Sequence, residues 1–247
     1  MPTIDTAHAF ELEFAHVKNG TNLADLLRDA CAYMGCAWFA LSHHVDFLAT
    51  PEKGVRLHNY PDEWAYWFDQ NRLGPSDPVH RASQRSRAGF LWHDMRRYDA
   101  PRPGDEIILA EARRHGIGDG LTVPAHLPGD AHGSVSFAWR PGSAADPDAL
   151  QFARMIGGAA FEAAHRIAHP ERLHIGPRLT HRQRQCLIRA AQGNPIRQIG
   201  LHLDISPDTV REHLRNARQR YGANGGTVLT VRALYNGDIS FADLVRR

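Results

Sequence analysis

Aromatic and acidic side chains gather in the first half of the chain in a pattern that could bind a small molecule. The stretch Asn59–Trp64 reads NYPDEW, and Asp77, Pro78 and Trp92 follow it. Tyrosine and tryptophan rings bury large areas and each supplies one hydrogen-bond donor, whereas a carboxylate is costly to bury unless a donor meets it. Together they could line a mostly apolar cavity with a few convergent polar groups. Taken alone, however, aromatic residues at this density are more often core packing.

Basic residues near the C-terminus could contact nucleic acid. A helix predicted from Pro207 would bury a stripe at Val210, Leu214 and Ala217 and turn its opposite face outward. Arginine on such a face can bind phosphate or make a bidentate contact to guanine. An isolated basic helix is usually a solvated surface, so the neighbouring elements decide the interpretation. The outer face and its flanks carry Asp208, Arg211, Glu212, Arg215, Arg218, Gln219 and Arg220.

The segments before this helix favour DNA binding. Thr180 can cap a first helix, and Gly193 would end it. Pro195–Leu203 predicts a short second helix, and Ser206 with Pro207 starts the third after a tight turn. A short helix, a tight turn and an arginine-bearing helix give the geometry that reads a DNA groove. Because caps, turn, spacing and charge agree, we predict a helix-turn-helix that binds DNA.

This segment resembles the C-terminal domain of LuxR-type transcription factors. LTHRQRQCL from residue 179, IRQIGLHLDIS from residue 196 and DTVREHLRNARQRY from residue 208 have the family's spacing. The chain departs from the family pattern at Gln183, Gln185, Asn194 and Tyr221. The resemblance implies an all-α, four-helix domain that binds a pseudo-palindromic site in double-stranded DNA as a homodimer, with RNA polymerase as a further expected partner. The expected DNA-contacting residues are Thr209, Arg211, Glu212, Arg215, Arg218 and Gln219.

The composition is ordinary apart from a locally basic end. The chain has 247 residues and a net charge of +2. Between residues 178 and 220, nine arginines accompany three acids, an excess that suits a DNA partner. Cys31, Cys36 and Cys186 form no CxxC pair, which predicts reduced residues in a cytosolic protein. No apolar run approaches the ~20 residues of a membrane span, and no secretion signal is evident, so we expect a cytoplasmic location without membrane attachment.

Helices and strands alternate before the DNA-binding segment. Predicted helices cover residues 4–17, 22–34 with Thr21 as cap, 62–71, 77–86, 104–115 and 146–168. Predicted strands cover residues 36–44, 55–59, 89–92, 119–127 and 133–140, the last two joined by a turn at Pro128-Gly129-Asp130. This order predicts an α+β fold whose N-terminal domain is an α/β/α sandwich around a central antiparallel sheet. The domains are expected at residues 1–172 and 179–247, with a linker at 173–178.

The aromatic stretch is similar to the acyl-homoserine lactone-binding domain of LuxR-type regulators. The similarity consists of NYPxxW, an Asp-Pro pair thirteen residues past Trp64, then Trp92 and a later GLTVP strand. It implies that Trp64 donates its indole N–H to the lactone carbonyl, that Asp77 accepts from the amide N–H, and that Tyr60 donates to the carbonyl on the amide side. Two carbonyl acceptors and one amide donor are the inventory that these three side chains complement.

The resemblance also implies roles for the rest of the cavity. Trp92 would pack near the lactone ring and Ser136 would lie near the acyl carbonyl. Ala40 and Ser42 would face the acyl tail. Phe68 stands where the family usually has a tyrosine, so ring packing is kept and one hydroxyl is lost.

The function predicted from these features is a quorum-sensing transcription factor that binds an acyl-homoserine lactone and needs no cofactor. The alternative is a LuxR-type solo regulator that responds to a non-lactone signal or acts without ligand. An enzyme is the third reading, because the chain has 16 histidines, including His43 and His44. No HExxH or GxSxG motif accompanies them. We therefore predict neither an enzyme nor a metal site, and expect the histidines to be surface or capping residues.

Overall fold

The computed structural model describes residues 3–45, 47–48, 54–126, 132–169 and 178–245. They form two compact units, one of residues 3–126 and 132–169 and the other of residues 178–245. The linker predicted at 173–178 lies, except for residue 178, outside the described residues, so the domain boundary stays a prediction. The turn predicted at Pro128-Gly129-Asp130 also lies outside them.

The first unit contains six α-helices and five strands within the described residues. The helices are α1 (Ile4–His16), α2 (Gly20–Met34), α3 (Asp62–Gln70), α4 (Pro78–Ser83), α5 (Asp105–Arg114) and α6 (Pro147–Ala168). The strands are β1 (Trp38–His43), β2 (Arg56–His58), β3 (Phe90–Leu91), β4 (Gly120–Ala125) and β5 (Gly133–Ala138). A 3₁₀ helix, Trp92–Arg97, follows β3.

The five strands form one sheet in the order β2-β1-β5-β4-β3, and every neighbouring pair is antiparallel. Helix α6 packs on one face, with α1 and α2 beside it, and α4 packs against β4 and β5. Gly157 of α6 lies so close to Val123 of β4 that a Cβ atom there would be 3.1 Å from the valine side chain. This arrangement confirms the predicted α/β/α sandwich around an antiparallel sheet.

Three details of the first unit differ from the sequence prediction. Helix α2 begins at Gly20 because the Asn19 side chain accepts from the backbone N–H of Asn22 at 2.8 Å, so Asn19 rather than Thr21 is the cap. Helix α4 ends at Ser83, three residues before the predicted end. The 3₁₀ helix after β3 was not predicted, because its sequence lacks an apolar repeat.

The second unit is entirely helical. Its helices are α7 (His181–Ala191), α8 (Ile196–Leu203), α9 (Pro207–Arg220), α10 (Gly226–Tyr235) and α11 (Phe241–Leu244). The predicted caps are confirmed: Thr180 and Ser206 accept backbone N–H groups at the starts of α7 and α9, and Gly193 takes a positive φ of 84° after α7. The short α11 is an addition to the four helices expected.

Two departures from the family pattern have partners in this unit. Gln183 completes a capping box with Thr180, since its side chain accepts from the Thr180 N–H at 3.0 Å. The Tyr221 hydroxyl donates to the carboxylate of Asp238, which also accepts from the Leu179 N–H at 3.0 Å. Asp238 therefore ties the segment after α10 both to Tyr221, just after α9, and to the start of α7.

Candidate functional site

A cavity of about 90 Å³ lies between the sheet and the helices α3, α4 and α5. Ala40 and Ser42 reach it from β1, and Ser136 reaches it from β5. All eight residues that the sequence predicted for a ligand site line this one cavity: Ala40, Ser42, Tyr60, Trp64, Phe68, Asp77, Trp92 and Ser136. The rest of the lining is mostly apolar and includes Val79, Ile108, Ala112 and Ile117.

Two hydrogen-bond donors of the cavity have no acceptor among the described residues. Trp64 is only 7% exposed and stacks on Trp67 with ring centroids 5.5 Å apart, yet its indole N–H has no hydrogen-bond partner among these residues. The Tyr60 hydroxyl also makes no hydrogen bond to them. Burial, and then the charge of Asp77, raises the pKa of Tyr60, so its hydroxyl stays protonated and can donate.

Asp77 supplies the matching acceptor. One of its carboxylate oxygens caps α4 by accepting from the backbone N–H of His80 at 2.9 Å. Its other oxygen makes no hydrogen bond to a described residue, although the side chain is only 7% exposed overall. The helix cap fixes the carboxylate in place, and the free oxygen can accept from a ligand amide.

Trp92 is held differently from Trp64. Its indole N–H donates to the Thr122 hydroxyl at 2.8 Å, and the Thr122 and Ser136 hydroxyls are 2.8 Å apart. Gly120 makes room for the ring, because a Cβ atom there would lie 2.7 Å from it. The ring therefore contributes an apolar wall. Thr122 was missed by sequence reasoning, although strand alternation places it on the same face as Gly120.

His43 and His44 are buried next to the cavity-lining residue His80, and their burial corrects a sequence expectation. His44 is buried and stacks on His80 with centroids 4.0 Å apart, while its Nε2 lies 2.9 Å from the Ser134 hydroxyl. The Phe68 ring lies 5.8 Å from the His80 ring and 5.7 Å from Trp64. His43 is fully buried. The expectation that histidines are surface or capping residues is therefore wrong for His43 and His44.

A second cleft, of about 530 Å³, has eight charged residues among the nineteen that line it. Buried Arg81 lies in it and is bound to Asp99 at 2.7 Å and to Asp105 at 2.9 Å. These ion pairs tie α4 to the start of α5. Because its buried charges already have partners, the cleft is less suited to an acyl ligand than the apolar cavity.

The outer face of α9 is exposed and rich in charge. The Arg211 guanidinium pairs with Asp208, and Arg215 pairs with Glu212 at 2.6 Å. In each exposed pair the partners lie three residues apart, about one helical turn. Such a surface ion pair stabilises a protein by only ~0–1 kcal/mol, so either arginine can exchange its carboxylate for a DNA phosphate. Thr209 is half-buried beside the Ser206 cap, and its hydroxyl lies 2.8 Å from that of Ser206.

The remaining predicted DNA contacts lie further along the same helix. Glu212 and Gln219 are exposed. Arg218 is also exposed, but it borders a groove lined by Leu187 of α7 and Val231 of α10. It therefore flanks the face that carries Arg211 and Arg215.

No group of three or more His, Cys, Asp or Glu side chains comes together as a metal site among the described residues. No described helix combines the length and apolar composition needed to span a bilayer.

Comparison with protein families decides the assignment. Residues 20–164 match the sequence model of the autoinducer binding domain, and residues 177–233 match that of the bacterial regulatory proteins of the luxR family. The chain belongs to the LuxR family. It is an autoinducer-binding transcription regulator, not an enzyme, with a helix-turn-helix domain for DNA. The resemblance inferred from the sequence is confirmed.

Individual LuxR-type proteins show the same relationship over most of the chain. The transcriptional activator VanR of Vibrio anguillarum is 28% identical over 188 residues, covering 74% of this chain and 76% of VanR. The transcriptional activator BjaR1 of Bradyrhizobium diazoefficiens is 30% identical over 175 residues, covering 68% of this chain and 69% of BjaR1.

Solved structures show the same fold. The crystal structure of Escherichia coli SdiA superposes with a TM-score of 0.67 at 19% identity, covering 98% of this chain and 99% of SdiA. A structure of SdiA in complex with octanoyl-rac-glycerol gives a TM-score of 0.65 at 20% identity, covering 95% of this chain and 97% of that one.

Proposed function

We propose that this LuxR-type regulator is a quorum-sensing transcription factor whose signal is an acyl-homoserine lactone held in the cavity between the sheet and α3, α4 and α5. The observation that carries the proposal is the set of unused polar groups in one apolar cavity. The Trp64 indole N–H and the Tyr60 hydroxyl can each donate to a carbonyl, and the free oxygen of Asp77 can accept from an amide N–H. That set complements the two carbonyls and one amide of an acylated lactone.

The three contacts differ in strength. A hydrogen bond to the charged Asp77 is worth about 1.5–3 kcal/mol, and each bond from a neutral donor about 0.5–1.5 kcal/mol. Trp92 forms a wall beside the lactone, with the Thr122–Ser136 hydroxyl pair next to it near the acyl carbonyl. Ala40 and Ser42 face the acyl chain.

Ligand binding of this kind couples to folding. A ligand that binds only the folded state stabilises it by RT ln(1 + [L]/Kd), about 2.7 kcal/mol at a hundredfold excess over Kd. The signal would thereby decide how much folded regulator accumulates in the cytoplasm, where we place the protein.

DNA binding follows from α9. A homodimer would set two α9 helices about one DNA turn, roughly 34 Å, apart on a pseudo-palindromic site. Thr209, Arg211, Glu212 and Arg215 would contact that DNA, with Arg218 and Gln219 at its edge. RNA polymerase is a further partner in this proposal.

A second candidate is a regulator with a non-lactone acyl signal. Two observations favour it: Phe68 lacks the hydroxyl that the family usually has at this position, and SdiA, which shares the fold, has been solved with octanoyl-rac-glycerol. Such a ligand has hydroxyl groups in place of a lactone ring.

Thermal unfolding of the purified full-length protein tests both candidates. Acyl-homoserine lactones of several chain lengths and octanoyl-rac-glycerol would be titrated in turn. A rise in Tm that depends on lactone chain length supports the lactone sensor, and a rise with the glyceride alone supports the second candidate. A flat response to every ligand from folded, DNA-binding protein rejects an acyl signal.

The Trp64→Phe variant identifies the cavity as the binding site. It keeps the ring and removes the N–H, so it should weaken lactone binding about three- to tenfold, the effect of losing one hydrogen bond. Trp67→Phe is the matched control, because Trp67 stacks on Trp64 without lining the cavity. Equal losses in both variants would reject the cavity as the site.

A further inference from the structure

A row of aligned residues crosses the cavity face of the sheet. The strand register sets His58 opposite Ala40, Ala40 opposite Ser136, and Ser136 opposite Thr122. Residues directly opposite one another in antiparallel strands project from the same face, and the first three of these line the cavity. Ala40 contributes only a methyl group, so the sheet surface between Ser136 and His58 leaves room for a ligand.

His58 stands at the outer end of this row with an unused polar atom. Its Nδ1 is buried and has no hydrogen-bond partner among the described residues. Burial, and then the charge of Arg56, lowers the pKa of His58, so the ring is neutral near pH 7. A buried polar atom without a partner is rare in folded proteins and calls for an explanation.

Two other polar side chains that line the cavity, Arg56 and His80, have partners within the fold. Arg56 is bound to Asp69 at 2.6 Å, and His80 Nδ1 lies 2.8 Å from the Gly74 carbonyl oxygen. The Ser136 hydroxyl already has Thr122 as a partner. His58 therefore lines the cavity and carries a buried Nδ1 without a partner, so a ligand oxygen that bonds to this atom breaks no existing hydrogen bond.

We propose that His58 is a specificity-determining residue that hydrogen-bonds an oxygen on the acyl chain of the signal. This rests on the proposed function, in that the cavity holds an acyl signal. The ligand class is then an acyl compound with a ketone or hydroxyl in its chain, beyond the amide carbonyl. A neutral imidazole nitrogen donates in one tautomer and accepts in the other, so His58 suits either group, whereas a plain alkyl chain would leave Nδ1 buried and unpaired.

Matched lactones test this assignment by calorimetry on the purified full-length protein. N-octanoyl-homoserine lactone is compared with three derivatives that carry a ketone at the third carbon, a hydroxyl at the third carbon, or a hydroxyl at the chain end. At least one oxygenated derivative should bind the wild type on the order of tenfold more tightly than the plain ligand, the effect of one satisfied hydrogen bond.

Three variants assign that preference to His58. His58→Leu removes the hydrogen-bonding atom and should bring the affinity ratio close to one while plain octanoyl lactone still binds. His58→Asn places an amide near the Nδ1 position and should keep part of the preference, whereas His58→Gln places it further out and should lose it. His93→Leu, outside the cavity, is the control and should keep the wild-type ratio.

The outcomes separate this inference from the proposed function. A wild type that binds no lactone rejects the proposed function itself. A wild type that binds plain and oxygenated lactones equally, or a preference that survives in both His58→Leu and His58→Gln, overturns the role of His58 and leaves the lactone sensor in place. If His58→Leu does not fold, the wild-type ratio and the Asn–Gln comparison decide in the same way.

Discussion

The indole N–H of Trp92 donates to the hydroxyl of Thr122 at 2.8 Å, so the only hydrogen-bond donor of this side chain already has a partner within the fold. Trp64, by contrast, has an indole N–H without a partner among the described residues. The two tryptophans therefore have different roles in one cavity: Trp92 forms a fixed wall, and Trp64 offers a hydrogen-bond donor to a ligand. The difference originates in β4, where Gly120 admits the Trp92 ring and Thr122 meets its nitrogen.

Replacement of Thr122 tests that relationship. Thr122→Val keeps the shape of the side chain but leaves the Trp92 N–H buried without an acceptor, which should lower the free energy of unfolding by about 1–3 kcal/mol. Urea denaturation of the ligand-free protein measures this. Thr122→Ser keeps the hydroxyl and is the control for the loss of the methyl group. Equal stability of the valine variant and the wild type would show that the bond contributes nothing.

Phe68 is a position where a single substitution restores the hydroxyl of the family pattern. Its ring lies between Trp64 and His80, so Phe68→Tyr adds a hydroxyl at the cavity wall that the family usually has there. If the missing hydroxyl shapes signal choice, the variant should bind one class of acyl ligand several-fold more tightly relative to the other, about 0.5–1.5 kcal/mol for one hydrogen bond.

The ratio of Tm shifts with octanoyl-homoserine lactone and octanoyl-rac-glycerol measures that change. Tyr66→Phe, at an exposed position on the same helix, is the control for altering a phenol nearby. An unchanged ratio in Phe68→Tyr would mean that the departure from the family pattern has no effect on ligand preference.

The resemblance to the LuxR family, which rests on the spacing of a few residues, predicted much of the cavity. Tyr60, Trp64 and Asp77 lie within 18 residues of one another. The nearby helices start at residues typical of helix starts, since Pro61 precedes α3 and Asp77 with Pro78 begins α4. The caps of α7 and α9 are equally local, because each depends on a side chain and a backbone N–H three residues away. Local chemistry of this kind can be read without knowing the tertiary structure.

What could not be predicted depends on pairing between distant segments. Thr122 and Ser136 meet through the register of β4 and β5, and His58 joins their row only through β1. Alternation gives the face of each strand but not its partner or register. The contact of His44 with His80 joins residues 36 positions apart, so the sequence pattern gives no sign that His44 is buried.

The recognition face of α9 can be tested against a matched pair on another helix. Arg211→Ala and Arg215→Ala should each weaken binding to DNA fragments selected by the wild-type protein, by about 1–3 kcal/mol for a lost base contact. A lost phosphate contact would instead reduce the salt dependence of binding by about one unit of slope. Stabilisation by the ligand should not change, because both arginines lie in the helical unit and the cavity lies in the other unit.

Arg28→Ala is the control for removing an exposed arginine. Arg28 pairs with Asp25 three residues earlier on α2, as Arg211 pairs with Asp208 on α9, so the local cost to the helix is the same. Fluorescence anisotropy at several salt concentrations gives affinity and slope together. DNA binding by Arg211→Ala and Arg215→Ala that matches the Arg28 variant would show that another face of the unit reads DNA.

Buried His44 should make the sensor unit sensitive to acid. Burial, followed by the charges of His80, His126, His132 and His43, lowers the pKa of His44 well below its ordinary value of 6.5. The folded state then keeps His44 neutral while the unfolded chain takes up a proton as the pH falls through 6.5, so the unfolded state binds more protons and stability declines below that pH. The decline can reach about 1.4 kcal/mol per pH unit for this group.

Urea unfolding at about pH 7.5 and about pH 5.5 measures the loss. His44→Gln cannot take up the proton and can still reach the Ser134 hydroxyl with its amide, so it should lose less stability between the two pH values than the wild type. Part of the loss should persist, because burial also lowers the pKa of His58 and His126. His93→Gln, at a half-exposed position, is the control for replacing a histidine. An identical loss in His44→Gln and the wild type would show that acid acts on other groups, and would remove the stacked His44–His80 pair as the origin of the pH dependence.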